Sequence, residues 1–207
     1  MAVIFDCDGV LFDSKQANIN FYNHIRKHFG LPPMAEEQVD YVHMHTADDA
    51  IRYIFQGTPY TEAALAYRLQ MDYTPFIQDM VMESGLLELL DCLCRETGLA
   101  IATNRSNTIG AVLERHGLVD YFDVVISSLD VTRPKPHPEC LHLILEHFDI
   151  HPQDALYVGD SLVDAQTAAS AGVPFVAYRD LSLPADYHAG SMEEVAALVL
   201  QERYGLV

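Results

Sequence analysis

The chain has 207 residues, half of them hydrophobic, enough to bury a sizeable core in one domain or in a domain with a subdomain. Thirty acidic against twelve basic side chains give a formal charge of −18, which excludes non-specific binding to nucleic-acid phosphates and would repel an anionic ligand at long range. No run of ~18 apolar residues is present, so no membrane span is expected; the N-terminus lacks the basic stretch of a secretion signal, and a cytoplasmic location is the expectation.

The run Ala2–Phe5 is apolar and rich in β-branched and aromatic types, which reads as a buried strand. It ends in Asp6-Cys7-Asp8-Gly9, and unpaired carboxylates cannot join a core because desolvating them costs several kcal/mol. After Ser14 the pattern turns helical. Ala17, Phe21, Ile25 and Phe29 recur at every fourth position until Gly30, Pro32 and Pro33. Residues 36–44 read as a short helix. Thr46-Ala47-Asp48-Asp49 resembles a capping box and opens a helix carrying Ala50, Ile51, Ile54 and Phe55, stopped by Gly57 and Pro59. Thr61 is expected to cap the next, with Leu65, Leu69 and Met71 on its apolar side, and Pro75 to break it before residues 76–82. Residues 15–82 therefore read as an all-helical insert.

From Ser84 the rhythm alternates. Helices are expected at 84–97 (with Gly98 as C-cap), 106–116, 137–148, 161–171 and 192–203, and strands at 99–103, 122–127, 155–158 and 174–178. Strands separated by helices imply right-handed crossovers and a parallel sheet. The expected fold is a doubly wound α/β domain, residues 1–14 and 83–207, with a helical subdomain inserted near its N-terminus. Cys7, Cys92, Cys94 and Cys140 form no C-x-x-C pair, so reduced, buried thiols are expected rather than a zinc or redox site.

Ligands of parallel α/β sheets bind outside the carboxyl ends of the strands. Those ends carry Asp6 and Asp8; Thr103, Asn104 and Arg105; Asp130 leading to Arg133-Pro134-Lys135-Pro136; and Gly159, Asp160, Ser161 and Asp164. Singly, each has a structural role available: Ser161 or Asp160 as a helix cap, Thr103 as a turn residue, Lys135 as a solvated lysine. Together they bring several acids, a hydroxyl and a lysine to one edge. Crowded carboxylates repel unless a cation sits among them, and hard oxygen ligands select Mg²⁺, which commonly binds with a substrate phosphate. One carboxylate can then attack phosphorus and a second can move the proton, while Lys135 and Thr103 hold the phosphoryl oxygens. Cation and lysine would make the pocket locally positive on an acidic protein.

On these residues the chain resembles the haloacid dehalogenase superfamily, in its phosphatase branch with a small helical cap. The apolar run with Asp6-x-Asp8-Gly9-Val10 is similar to its first motif, Thr103-Asn104 to the second, Lys135 in Arg-Pro-Lys-Pro to the third, and Gly159-Asp160-Ser161-Leu162-Val163-Asp164 to the fourth. The resemblance implies a Rossmann-like core and an aspartyl-phosphate mechanism. It casts Asp6 as nucleophile, Asp8 as acid/base, and Thr103, Asn104 and Lys135 as phosphate binders. Mg²⁺ would be held by Asp6, the main-chain carbonyl of Asp8, Asp160 and, directly or through water, Asp164. The second aspartate disfavours dehalogenation. The chain looks most like phosphatases of phosphoglycolate and sugar phosphates, with β-phosphoglucomutases as the alternative and a non-catalytic regulator of the same fold as a remote one. Position 105 is Arg where Lys is expected in the phosphoglycolate group. The insert would act as a lid hinged at 12–14 and 84–85, with Arg52 and Arg68 as candidates to pair with a second substrate anion. His43 and His45 are expected to be exposed or hydrogen-bonded. The partner is a small phosphorylated metabolite, with neither nucleic acid nor membrane, and the chain is expected to be a monomer or homodimer.

Overall fold

In the computed structural model, which describes residues 1–95 and 97–204, the strands β1 (Ala2–Phe5), β4 (Gly98–Ala102), β5 (Val124–Ile126), β6 (Ala155–Gly159), β7 (Phe175–Tyr178) and β8 (Tyr187–Ala189) form one sheet in the order β5-β4-β1-β6-β7-β8. Every neighbouring pair is parallel. The winding leaves β1 towards β4 and β5 on one side and towards β6, β7 and β8 on the other, so the strand followed by Asp6 lies at the switch point of the sheet.

Side-chain alternation builds two cores. Val3, Phe5, Leu99, Ile101 and Val158 pack on the face covered by α6 (Leu86–Leu93), α7 (Ile109–His116) and α10 (Met192–Tyr204). Ile4, Ala100, Ala102 and Ala177 pack on the face covered by α8 (Glu139–Phe148) and α9 (Leu162–Ala171). Gly117 and Gly172 end α7 and α9 in the left-handed conformation, as their positions predict.

The insert contributes α1 (Lys15–His28), α2 (Glu36–Met44), α3 (Ala47–Ile54), α4 (Thr61–Gln70) and α5 (Thr74–Ile77), a helical cap over the strand ends. Thr46 caps α3 by accepting from the Asp49 amide at 3.2 Å. The aromatic side chains of Phe21, Tyr73 and Phe76 meet edge-on or tilted within 5.1–5.7 Å and fill the interior of the cap.

Several local expectations fail, each for a physical reason. Residues 81 and 82 are not helical: β3 (Val81–Met82) pairs antiparallel with β2 (Phe12–Asp13), because the two chain crossings between sheet and cap run side by side and satisfy each other's main-chain groups. Helix α6 starts at Leu86 behind Gly85, which has φ +80°, and ends at Leu93 with Cys94 as C-cap, so Gly98 opens a strand rather than capping a helix. Thr61 is the first helical residue of α4, and Tyr60 occupies the N-cap without a side-chain bond. Strand β8 lies outside the strands the sequence predicts, because its three residues at the sheet edge, Tyr187-His188-Ala189, carry little alternation. Cys7 and Cys140 are buried, but Cys92 and Cys94 are exposed.

Candidate active site

Strand ladders deliver the polar residues. The Asp6 amide continues the β1–β6 ladder by donating to the Val158 carbonyl at 2.9 Å, and the Thr103 amide continues β4–β5 by donating to Ile126 at 3.0 Å. Gly9 follows at φ +81°, a left-handed conformation that glycine adopts without penalty. It has a second reason to be glycine: a Cβ there would lie 1.8 Å from Asp160 Oδ2. The main chain of the first loop and the carboxylate of the fourth are thus in direct apposition.

Asp6, Asp8, Thr103, Asn104, Lys135 and Asp160 line one cavity, roofed by cap residues that include His43, Arg68 and Tyr73. Asp164 does not line it. That residue is fully buried behind Asp6, and both carboxylate oxygens are bonded. Oδ1 accepts from Lys135 Nζ at 2.7 Å and from the Tyr157 hydroxyl at 2.6 Å, and Oδ2 accepts from the Ser161 amide and hydroxyl. Asn104 is also committed elsewhere: its Oδ1 accepts from the Lys135 amide at 3.0 Å, and its Nδ2 donates to the Lys135 carbonyl at 3.1 Å and to cap residue Met44 at 3.4 Å. It braces the lysine loop.

The Lys135 ammonium is 3.0 Å from Asp6 Oδ1 and also donates to the Tyr157 hydroxyl and the Ala102 carbonyl. Burial would lower its pKa, but the carboxylates of Asp164 and Asp6 outweigh that and hold it charged. The same ion pair, aided by the hydroxyls of Ser161 and Tyr157, keeps Asp164 below the usual carboxylate range despite burial. Asp6 goes the other way. Burial pushes it up to about 7, only partly opposed by Lys135, and burial together with the charge of Asp164 pushes Asp160 up to about 8.

Asp8 has a different environment. Arg105 grips it with two bonds, Nε to Oδ2 at 3.1 Å and Nη2 to Oδ1, and Ser14 at the start of the cap donates to Oδ1. Burial would raise Asp8, yet Arg105 wins and holds it low. The guanidinium also lies 5.1 Å from the centre of the Tyr73 ring, so a cap aromatic backs the arginine that holds Asp8.

The remaining candidates separate. Arg68 lines the cavity, whereas Arg52 reaches across the exposed surface to Glu62 at 3.0 Å and does not. His43 shares a hydrogen bond with Asn18 at 3.0 Å, and His45 stacks on Tyr41 and bonds its carbonyl. Tyr157 is the residue that sequence reading missed. A tyrosine in the otherwise apolar strand 155–158 has a hydroxyl that must find a buried partner, and that signal was available.

Metal-type donors close enough to share one ion come, among the described residues, from Asp6, Asp160 and Asp164, whose ligand atoms lie within 4.8 Å of one another. The donors are all carboxylate oxygens, the set that hard divalent cations take. The residues fit a metal ion. Among the described residues, no helix is long and apolar enough to cross a membrane.

A family model described as haloacid dehalogenase-like hydrolase matches residues 3–178. Phosphoglycolate phosphatase of Rhodobacter capsulatus is 32% identical over 95% of this chain and 94% of its own length. A solved haloacid dehalogenase-superfamily hydrolase of subfamily IA from Geobacter sulfurreducens is 42% identical, superimposes with a TM-score of 0.85, and covers 95% of this chain and 98% of its own. A β-phosphoglucomutase from Clostridium difficile, at 18% identity and a TM-score of 0.84 over 99% and 96% of the two chains, shares the fold. With its strand-end acids and buried lysine in one cavity, this chain belongs to the haloacid dehalogenase-like hydrolase family, among that family's phosphatases.

Proposed function

We propose that the protein is a Mg²⁺-dependent phosphomonoesterase for a small phosphorylated metabolite of the phosphoglycolate or sugar-phosphate type, working through an aspartyl-phosphate on Asp6. The observation that carries this is the convergence of Asp6, Asp8, Thr103, Lys135 and Asp160 from separate strand ends on one cavity. Asp6 and Asp160 are the side chains that would hold Mg²⁺, with the Asp8 carbonyl as a further ligand. Bound there, the cation would supply charge neutralisation for the phosphoryl oxygens and keep both carboxylates ionised. We place Asp164 behind them, as the anchor of Lys135 rather than a direct ligand, because its oxygens already accept four hydrogen bonds.

In this mechanism Asp6 attacks phosphorus while Lys135 and the Thr103 hydroxyl hold the equatorial oxygens. Thr103 Oγ1 accepts from the Arg105 amide at 3.1 Å, which leaves its own proton free to donate. Asp8, held ionised by Arg105 in the resting site, must part from the guanidinium and take up a proton before it gives one to the departing oxygen; it later takes one back from the water that opens the acyl phosphate. The cap excludes bulk water between the steps. Asn104 acts indirectly, by fixing the main chain that carries Lys135.

The test is hydrolysis of p-nitrophenyl phosphate and a panel of metabolite phosphates by the purified protein with Mg²⁺. Activity should vanish in EDTA and in Asp6→Asn. Persistence of full turnover in either case contradicts the mechanism. Isomerised sugar phosphate from β-glucose 1-phosphate, in place of inorganic phosphate, would reassign the protein as a mutase.

A further inference from the structure

Three consecutive residues of the core meet three different parts of the cap. Asn104, Arg105 and Ser106 follow β4 and Thr103 in an irregular loop, and all three are buried. Asn104 Nδ2 donates to the carbonyl of Met44, the last residue of α2, at 3.4 Å. The guanidinium of Arg105 lies 5.1 Å from the centre of the ring of Tyr73, the N-cap of α5. Ser106 Oγ accepts from Arg68 Nη1, on α4, at 3.2 Å. Two of the three lead on to reacting groups. The Asn104 side chain is bonded to both the amide and the carbonyl of Lys135, at 3.0 and 3.1 Å, and Arg105 holds Asp8.

The three contacts are unequal. The Asn104–Met44 bond is long for a neutral pair, whereas the Arg68–Ser106 bond is buried and has a charged donor, which makes it roughly twice as strong as a neutral one. Both of its ends are held in place. Arg68 Nη2 pairs with Asp48 on α3, so a second cap helix fixes the guanidinium while Nη1 points at the core. Ser106 gives its own proton to Asn107 Oδ1 at 3.1 Å, which leaves its lone pairs to Arg68. The loop itself is anchored to the core, because the Ser128 amide and hydroxyl donate to the Arg105 carbonyl at 3.1 and 3.3 Å.

We infer that Asn104-Arg105-Ser106 is the strip on which the cap seats, and that Arg68 and Ser106 are positioning residues whose mutual bond holds the cap against that strip and so protects the brace on Lys135. The inference rests on the phosphatase reading above and adds to it two residues that act through Asn104. When the cap lifts, Met44 leaves Asn104, and water reaches the side chain and competes for the bonds that fix the lysine loop. Losing the Arg68–Ser106 bond therefore slows every phosphate ester alike, because it changes how often the cap is seated and not how the leaving group is read.

The test uses Ser106→Ala and Arg68→Met, alone and combined, with p-nitrophenyl phosphate and 2-phosphoglycolate as substrates in Mg²⁺. Each variant should lose about tenfold in kcat/KM on both esters, the worth of one bond from a charged donor, and the double variant should lose no more than Arg68→Met alone. Exchange of the Lys135 amide, read by NMR without substrate, should quicken by a similar factor, while amides within β1 and β4 keep their wild-type rates. A loss confined to phosphoglycolate would overturn the inference, because Arg68 would then be reading the substrate. So would losses that multiply in the double variant, or a wild-type exchange rate at Lys135 in both single variants. A wild type that fails to hydrolyse p-nitrophenyl phosphate with Mg²⁺ overturns the phosphatase reading, and the exchange rates then decide the seating by themselves. Ser106→Ala, which removes a single oxygen atom, keeps the test available if Arg68→Met does not fold.

Discussion

Gly9→Ala puts one methyl group where the structure leaves no space. Its Cβ would sit 1.8 Å from Asp160 Oδ2 and 2.4 Å from Cγ, so reaching the 3.4 Å of ordinary contact displaces that carboxylate by about 1.6 Å. Metal–ligand distances tolerate only about 0.2 Å, so in the proposed metal site Asp160 would no longer reach the ion. The main chain adds strain, because alanine at φ +81° costs roughly 1–2 kcal/mol. Gly57→Ala separates the two effects: it has nearly the same φ, +78°, but nothing lies within 4 Å of its Cβ. Both variants should lose a few degrees of Tm. Gly9→Ala alone should also weaken the Mg²⁺-induced rise in Tm and lower kcat/KM by about a hundredfold or more, the usual cost of a 1 Å misplacement at a reacting centre. The assay is a Mg²⁺ titration read by thermal shift and by p-nitrophenol release. Wild-type Mg²⁺ dependence in Gly9→Ala would refute the placement of Asp160 at the metal.

Two further outcomes follow from the same charges. In metal-free protein Asp6 titrates near 7 and Asp160 near 8, whereas both ionise near 4 when unfolded; the folded state then holds protons that the unfolded state lacks, and stability falls as pH rises from ~4 to ~8. Asp8 and Asp164, held low against burial by Arg105 and Lys135, and Lys135, held high against burial by its two carboxylates, do not titrate in that window. Tm in EDTA should therefore be higher near pH 5.5 than near pH 8.5, and Mg²⁺ should stabilise mainly at the higher value; a metal-free Tm that rises across the window contradicts this. Tyr157→Phe keeps the ring packing but removes the hydroxyl between Lys135 and Asp164, which should cost about 1–2 kcal/mol in Tm measurements and lower kcat roughly tenfold. Wild-type kcat in that variant would show that the lysine needs no third partner.

The sheet was legible because β1, β4, β6 and β7 are continuous apolar runs, four residues or more, punctuated by glycine or by acids, and no amphipathic helix reads that way. Polar residues that follow such runs fall at one edge by topology alone, and Asp6, Asp8, Thr103 and Asp160 do meet there; Lys135, nine residues beyond β5, reaches them along its loop. What the residues do to one another was less legible. The grip of Arg105 on Asp8 and the brace between Asn104 and Lys135 join positions far apart in the chain, and side-chain direction decides them. Arg52 and Arg68 looked equivalent in sequence, but the faces of α3 and α4 send one to solvent and the other into the cavity. The ribbon of β2 and β3 was hidden for a different reason. Two-residue strands carry no period, and only the closeness of the two chain crossings creates the pair.

In the proposed mechanism Asp6 itself carries the phosphoryl group. Wild-type protein mixed with Mg²⁺ and p-nitrophenyl phosphate, quenched in acid within the first turnovers and digested at low pH, should yield the N-terminal peptide with a mass gain of one phosphoryl group, located on Asp6 by fragmentation. Asp6→Asn should yield none. A wild type that turns over without labelling this peptide, or that carries the label on another residue, would contradict the assignment of Asp6 as nucleophile.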